Sequence, residues 1–569
     1  MSSFFKYSLA DRPPLRVGLL LDSRILPAFA VRIVTDIKEC NFADVEFLVY
    51  RKSTNNVGNR NHKPTFLARL LDPKQREKTL YAAYLKLDRK LKPKNHPLDP
   101  IDCSTLLNGI DSIEVEPIGQ KFVQRFPPEA IEKIRAQDLD VLLRFGFNIL
   151  HGDILKAARY GVWSYHHGDN EFYRGGPPHF WELVEHNPLS GVMLQVLTEE
   201  LDAGLVLCKS QFNTQATLSA SSNRFAAYWG ATAQVIQKLN QLHRFGWEHL
   251  ERHAVPPVTY KGKHKIYRSP TNTQVARWLG PVLLKKAARH YFRRNRVDYW
   301  RIGMRRAQPP LFQSGSTDHF QWLTSPKGRF WADPFLFEHE DRLWVFYEDY
   351  SYIQQNGHIS AAEINDQCLL SSHTVCLSDP VRHYSYPYIF RAGSEIFMIP
   401  ESYDSNSVDL YRCAGFPNQW VKEKTLFEGK YVDTTVWQFD GLWWLMTTFT
   451  DPDPRAGQLL LFYGDSLTGD LHVHPSNPIS TDVRTNRGGG RIIETQDGLV
   501  RPSQNCSPTY GYSLSFHKIT ELSKTSYSEH CLRTIEPWDK LAGVHTYARA
   551  GDVELIDAKM FVPLQKLRS

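Results

Sequence analysis

Gly161-Val-Trp-Ser164-Tyr-His166 reads as a short strand that ends on an imidazole. A loop rich in Gly and Pro follows, carrying Gly168, Asn170, Arg174-Gly175 and Pro178. Downstream lie Gly191-Val192 and Leu201-Asp202-Ala-Gly204. A His at one strand end and an Asp after a second strand can converge at one cleft, because α/β sites form outside the carboxyl ends of strands. An imidazole and a carboxylate placed there could shuttle a proton during acyl transfer. A second group of candidates is acidic and lies in the other half of the chain. Asp333, Tyr386 and Asp433 occupy one repeated slot, and Glu348 and Glu401 occupy another. Carboxylates among aromatic side chains can bind sugar hydroxyls, stack on rings, or act as acid and base. Arg487, Arg501 and His545 are candidates to join them.

The elements that must position the first group form an α/β pattern. Leu15–Asp22, Val45–Tyr50, Asp140–Phe145 and Gly161–Tyr165 read as strands, with helices predicted over 27–39 and 223–243. This predicts a Rossmann-type sheet domain over 1–255. Residues 256–297 read as a basic helical connector. Its helix is placed at 273–294 and is interrupted by Gly280-Pro281. Val275, Trp278, Leu279, Val282, Leu283 and Tyr291 share one face there. Arg277, Lys285, Lys286, Arg289, Arg293 and Arg294 surround it, which makes a basic amphipathic pattern.

From 298 to 569 the texture changes to short strands and turns. Asp333-Pro-Phe-Leu-Phe337 aligns with Tyr386-Pro-Tyr-Ile-Phe390 and with Asp433-Thr-Thr-Val-Trp437. Each is followed by an apolar strand, Leu343–Glu348 and Ile396–Glu401 at the same interval and Leu442–Thr447 one residue sooner. Arg487–Ile493 and His545–Arg549 fit as weaker fourth and fifth copies. A period of about 50 residues with four strands per unit predicts a β-propeller, here of five blades. Trp300–Arg305 could supply a strand that closes the ring with the last blade.

Composition narrows the function classes. The chain has 569 residues, 42% of them hydrophobic and 23% charged, which excludes a disordered or fibrous protein. Its eight cysteines are scattered without a Cys-x-x-Cys pair, so neither a disulfide framework nor a cysteine zinc site is expected, and no metal is assigned. With no long apolar run and no leader pattern at the start, the expected location is the cytoplasm, at the inner membrane face if the basic helix docks there. The net charge of +7 is uneven. Residues 51–95 hold 13 basic and 3 acidic residues, and 256–307 hold 14 basic and 1 acidic. The remainder is acidic on balance. The basic helix could face solvent between domains, an anionic membrane surface or nucleic acid. Nucleic acid is the least favoured, because no binding motif accompanies the charge.

The first segment resembles the folate-dependent formyltransferases, which carry Asn-x-His at a strand end, then Arg-Gly-x-x-Pro, Gly-Val and Asp-x-Gly. His166, Arg174-Gly175, Pro178, Gly191-Val192 and Asp202-Ala-Gly204 stand at matching positions. The spacing His166-x-Gly168-x-Asn170 with Arg174 is closer to the sugar N-formyltransferases. The resemblance implies catalytic roles for His166 and Asp202. His166 would help deprotonate an attacking amine and stabilise the tetrahedral intermediate. Asp202 would orient the histidine and accept protons. Formyl-tetrahydrofolate is the implied donor, with Arg144, Phe145, Gly146, Phe147, Asn148 and Ile149 lining its pocket. Gly168, Asn170 and Arg174 are implied substrate contacts. The family's Asn is replaced by Ser164, whose shorter hydroxyl stands where an oxyanion donor is needed; losing such a donor typically costs about 10²–10³ in rate. His167 and His179 read as local structure.

The second half is similar to the N-terminal domain of plant glucosamine inositolphosphorylceramide transferases. The matching residues are Trp331-Ala-Asp-Pro-Phe-Leu-Phe337, Ser385–Phe390, Met398–Ser402, Leu410-Tyr-Arg412 and Phe416-Pro-x-x-Trp420. Trp331-Ala-Asp-Pro-Phe also resembles the five-bladed furanosidase propellers. These resemblances imply a sugar or glycolipid partner, with Asp333, Glu348, Glu401 and Asp433 as its contacts. The leading expectation is formyl transfer to an amino sugar, nucleotide- or lipid-linked. Two alternatives stay open: a catalytically degenerate formyltransferase fold with a glycan-binding propeller, and a propeller glycosyltransferase or glycosidase.

Overall fold

The computed structural model describes residues 6–52, 76–119, 122–215, 218–293, 296–365, 367–451 and 453–563, without side chains at 285–293 and 372. It divides into two compact units, Met1–Lys286 and Ala287–Ser569.

The first unit is built on one seven-stranded sheet. Its strands are β1 (Leu15–Leu21), β2 (Ala43–Arg51), β3 (Asp111–Val115), β4 (Val141–Arg144), β5 (Val162–His166), β6 (Leu189–Val196) and β7 (Leu205–Asn213). Their spatial order is β7-β6-β5-β4-β1-β2-β3. The run β3-β2-β1-β4-β5 is parallel. β6 and β7 add antiparallel to it. The order reverses between β1 and β4, which opens a crevice beyond the carboxyl ends where Arg144 and His166 emerge.

Helices cover the sheet as the sequence pattern predicts. In Ala28–Lys38, the residues Ala30, Ile33, Val34 and Ile37 are fully buried, one face at helical spacing. On the other side Ile131 and Ile134 of helix Pro128–Arg135 pack with Leu20, Val49, Leu142 and Phe147. The helix predicted over 223–243 is two helices, Ala220–Ala231 and Ala233–Phe245. Thr232 marks the break, and its hydroxyl donates back to the Trp229 carbonyl at 2.7 Å.

The helix predicted over 273–294 runs unbroken from Asn272 to Arg293 with Pro281 inside. Proline removes one helical hydrogen bond, but Gly280 before it has no Cβ to clash with the ring, so the helix continues. Val275 and Trp278 are buried against Tyr84, Phe180 and Trp181 of the same unit. The side chains of Lys285, Lys286, Arg289, Tyr291, Arg293 and Arg294 lie outside the described residues, as do residues 53–75 of the first basic segment. Among the described residues no helix is long and apolar enough to cross a membrane.

The second unit is a five-bladed propeller. Blade one comprises Arg329–His339, Arg342–Ser351, Asn356–Ile364 and Leu370–Leu377. Blade two comprises Ser385–Ala392, Glu395–Glu401, Ser407–Gly415 and Gln419–Glu428, and blade three Tyr431–Phe439, Leu442–Phe449, Gln458–Gly464 and His472–Val473. Blade four is built on Arg487–Gly488, Gly498–Asn505, Ser513–Leu522 and Tyr527–Ile535, with Ile493–Thr495 paired at its inner edge. The closing blade joins Gly543–Ala550 and Val553–Pro563 to Arg296–Arg306 and Gln321–Trp322. The strand predicted around Trp300 therefore closes the ring, paired from Arg296↔Pro563 to Arg306↔Val553.

The inner strands share a defect. The ladder slips between Ala332 and Phe335, Ser385 and Tyr388, Val432 and Thr435, and Val544 and Tyr547. Each slip is a β-bulge that re-aims one side chain. Asp333, Tyr386, Asp433 and His545 are the residues so placed. The first three adopt left-handed φ values of 50°, 43° and 53°. Such backbone is costly for these residue types and persists only where its surroundings hold it.

Candidate functional site

His166 closes β5, and the loop after it is clamped onto the sheet. Asp169 accepts hydrogen bonds from Lys209 Nζ at 2.5 Å and Gln211 Nε2 at 2.7 Å, both from β7. Gly191 on β6 lets the loop close, since a Cβ there would sit 2.9–3.0 Å from the Cβ, Cα and N of Asp169. Gly168 lies equally tight against the imidazole, where a Cβ would be 2.8 Å from His166 Nε2.

The loop between β6 and β7 brings Asp202 back to the same point, with Asp202 itself at a left-handed φ of 54°. His166 Nδ1 lies 3.1 Å from Asp202 Oδ1, and its Nε2 lies 2.8 Å from the Tyr173 carbonyl. Both partners are pure acceptors, so the geometry favours a proton on each ring nitrogen. Burial pushes the imidazole pKa down, but the Asp202 hydrogen bond and charge outweigh it and hold it above the usual value. Burial raises the Asp202 pKa, yet His166 pulls it below the usual carboxylate range. Geometry and electrostatics thus both favour the imidazolium–carboxylate form of the pair.

His166, Asp202 and Ser164 line one pocket of about 160 Å³, together with Arg144, Ile149 and Gln195. Of the segment expected to hold the donor, Arg144 and Ile149 reach this pocket. Phe147 instead packs in the core against Phe126. Its amide donates to Asp22 Oδ1 at 2.7 Å, which fixes the turn at Gly146. A Cβ on Gly146 would meet the Asp22 nitrogen at 2.3 Å. The Phe145 amide donates to the Leu20 carbonyl, and its ring meets Phe29 edge-on. The Asn148 carbonyl accepts from Arg144 at 3.2 Å. Arg174 lays its guanidinium over Tyr260, 4.8 Å from the ring centre, and leaves its buried Nε without a partner. Asn170 is buried in the loop.

Ser164 donates its hydroxyl to the Tyr165 carbonyl at 3.3 Å. Directly across the antiparallel pair from it stands Gln195. Gln195 is 2% exposed, lines the pocket, and its Oε1 has no partner. Reading β5 alone missed this carboxamide. The usable signal was the register of β6 against β5, which sets residue 195 opposite residue 164.

His167 and His179 are buried, and burial holds both rings well below their usual pKa, His179 at about 3. His167 stacks on Tyr228 at 3.6 Å. Both behave as neutral packing groups. Glu182, also missed, is fully buried near His179, and burial raises its pKa to about 8.

The propeller gathers its expected residues at the inner bulges. Asp333 Oδ1 accepts from the Thr546 hydroxyl at 2.8 Å and lies 3.8 Å from His545 Nε2. His545 Nδ1 pairs with Asp557 Oδ1 at 2.7 Å. Asp557 also accepts from the Thr546 and Asp333 amides. It is fully buried and was not singled out in the sequence; it stands opposite the bulge of the last blade. Ligand atoms of Asp333, His545 and Asp557 lie within 4.8 Å of one another, close enough to hold a cation. Hydrogen bonds from Asp333, His545 and Thr546 already engage both Asp557 oxygens.

Arg487 Nε pairs with Asp433 Oδ2 at 2.6 Å, and the Asp433 amide donates to Glu401 Oε2 at 3.0 Å. Glu348 pairs with His383 at 3.2 Å. Burial raises Asp333 to about 7, opposed by His545 and reinforced by Asp557 and Glu348. Burial and then Asp433 push Glu401 well above its usual range, against Arg487. Arg501 does not join this group. It pairs with Glu529 within blade four, because its ladder position places it beside the next strands of that blade.

Comparison with known proteins gives a family match within the second unit. The family described as glucosamine inositolphosphorylceramide transferase 1, N-terminal, matches residues 317–546. Glucosamine inositolphosphorylceramide transferase 1 of Oryza sativa subsp. japonica is 35% identical over 204 residues, and the Arabidopsis thaliana protein is 35% identical over 206. Each match covers 35% of this chain and 27% of the relative, so the chain matches about a quarter of those proteins' length. Methionyl-tRNA formyltransferase of Synechococcus sp. (strain WH7803) is 32% identical over 96 residues, 16% of this chain and 28% of that protein. Among solved structures, glycinamide ribonucleotide transformylase 1 from Symbiobacterium toebii overlaps 40% of this chain and 88% of its own at 11% identity, TM-score 0.26. The RS223 β-xylosidase overlaps 42% and 96% at 8% identity, TM-score 0.32. The chain carries a formyltransferase-like, Rossmann-type sheet and a five-bladed propeller, and residues 317–546 are similar to the N-terminal part of glucosamine inositolphosphorylceramide transferase 1.

Proposed function

We propose that the first unit transfers a formyl group from formyl-tetrahydrofolate to the primary amine of an amino sugar, nucleotide- or lipid-linked, while the propeller binds the glycan. The observation that carries this reading is the His166–Asp202 pair in one pocket with Ser164 and Gln195. The donor supplies the formyl carbon, and Arg144 and Ile149 are the pocket residues that would hold it. The amine nitrogen bonds to that carbon and loses a proton, and the bond from the carbon to the folate nitrogen breaks as that nitrogen regains one.

His166, whose charged form Asp202 favours, would stabilise the negative oxygen of the tetrahedral species rather than begin as the base. To face it, Nε2–H must share or release the Tyr173 carbonyl. Asp202 keeps the ring oriented and serves as the proton acceptor. Gln195 would supply the amide donor that residue 164 lacks, a contribution of about 10²–10³ in rate for such groups.

The test is mass spectrometry of an amino-sugar panel incubated with the full chain and formyl-tetrahydrofolate. A product heavier by one CO, lost in His166→Gln, is expected. No product across the panel, with no folate bound, overturns the reading. If Ser164→Asn alone creates activity, the natural chain is a degenerate transferase.

A second reading rests on the axial carboxylates. Asp333, raised to about 7, and Glu401, pushed well above its usual range, lie beside the Asp433–Arg487 ion pair. An acid and a carboxylate together suit glycosidic bond chemistry. Sugar turnover abolished in Asp333→Asn with binding retained would select it.

A further inference from the structure

Blade one carries a polar-aromatic stripe on one face. Trp331 is paired across the ladder with Asp349, and Tyr347, two residues before Asp349 and so on the same face, is paired with Ser360. Beyond them lie His373, Thr374 and Val375 of the outermost strand. These residues, with Thr324, Ser325 and Pro326 from the segment before the blade, line a pocket of about 430 Å³. That volume is within the range of small-molecule sites.

The polar groups of this pocket are fixed in advance. Tyr347 hydroxyl and His373 Nδ1 hydrogen-bond at 2.7 Å, and the His373 ring stacks on Trp331 at 5.1 Å. Arg329 Nε holds Asp349 Oδ1 at 2.6 Å. Trp331 is 6% exposed, and its indole N–H has no acceptor. A buried donor left unpaired costs free energy, and an acceptor brought by a ligand recovers it.

The geometry points to a saccharide-binding site here, separate from the residues gathered at the inner bulges. One neutral sugar ring would give a hydroxyl oxygen to the Trp331 N–H. Its own hydroxyl protons would go to Asp349 and the Ser360 and Ser325 oxygens. A charged ligand fits less well, because Asp349 is already neutralised by Arg329. This inference deepens the glycan-binding part of the proposed function and is independent of formyl transfer.

Saturation-transfer NMR on the full chain tests it, with methyl glycosides of glucose, mannose, galactose and glucosamine as probes. At least one should receive saturation. Trp331→Phe removes the donor but keeps the ring, and should weaken that binding about tenfold. Val375→Arg intrudes from the exposed rim without touching the core, and should abolish it even if Trp331→Phe fails to fold. Asp433→Asn, in the axial group, and His166→Gln, in the first unit, should retain it. Absence of saturation with every probe overturns the site. So does binding that survives Trp331→Phe and Val375→Arg, or that disappears only in Asp433→Asn. Loss of formyl transfer with this signal intact would count against the proposed reaction alone.

Discussion

Replacing Asp202 by Asn removes the charge that keeps His166 protonated. The two groups lie 3.1 Å apart and are both largely buried, so water screens them little. An opposite charge at this range typically moves a pKa by about 1–3 units, or about 1.4–4 kcal/mol. Burial alone would push the His166 imidazole below its usual value. Asp202→Asn should therefore move its pKa from above the usual imidazole value to below it. The assay is the titration of the His166 Cε1 proton by NMR, assigned by its loss in His166→Gln. Stability carries the same signature with a definite sign. The raised His166 contributes stability that is full below its unfolded pKa and is lost as pH rises through the folded one. The lowered Asp202 contributes stability that is lost as pH falls through its own folded pKa. The gap between the two proteins should be widest between about pH 4 and 6.5 and narrow on both sides. A His166 pKa unchanged in Asp202→Asn would refute the reasoning.

Gln195→Met should lower any formyl-transfer kcat by about 10²–10³ with little change in KM, and an unchanged kcat would remove Gln195 from the reaction. Glu182→Gln removes a carboxyl held neutral by burial, so its melting temperature should gain on the natural protein as pH rises from 5 toward 8; parallel curves would show that Glu182 ionises freely. Gly191→Ala forces a methyl into the Asp169 backbone and should cost about 1–3 kcal/mol by denaturant unfolding, with none lost if the loop is not clamped there. Asp557→Asn sets an amide against the donors that converge on this buried carboxylate and should cost about 3–5 kcal/mol, whereas a surface-like change below 0.5 kcal/mol would contradict this hydrogen-bond network.

Much of this architecture is local and so was legible along the chain. A strand buried on both faces announces itself as Leu15–Leu21 does, and a repeat of about 50 residues recurs wherever each copy must form one blade. His166 and Asp202 were readable because their neighbours form a pattern. The bulge slot was readable at Asp333, Tyr386 and Asp433, since the blades repeat in register.

Other features depend on pairing between distant segments, which spacing does not encode. Gln195 matters because β6 runs antiparallel to β5 in a register that sets it against Ser164. Phe147 turns to the core because a left-handed turn held by Asp22 rotates it away from the pocket. Arg501 leaves the propeller axis because Glu529, two strands outward, captures it. Asp557 joins the axis across the last bulge from His545. The sequence by itself determined two folds, the repeat, and the imidazole and carboxylate most suited to proton transfer. Only the tertiary structure decided the charge state of that pair and the donors beside it. Protonation depends on burial and on which acceptors close around a group, and those belong to the packed chain.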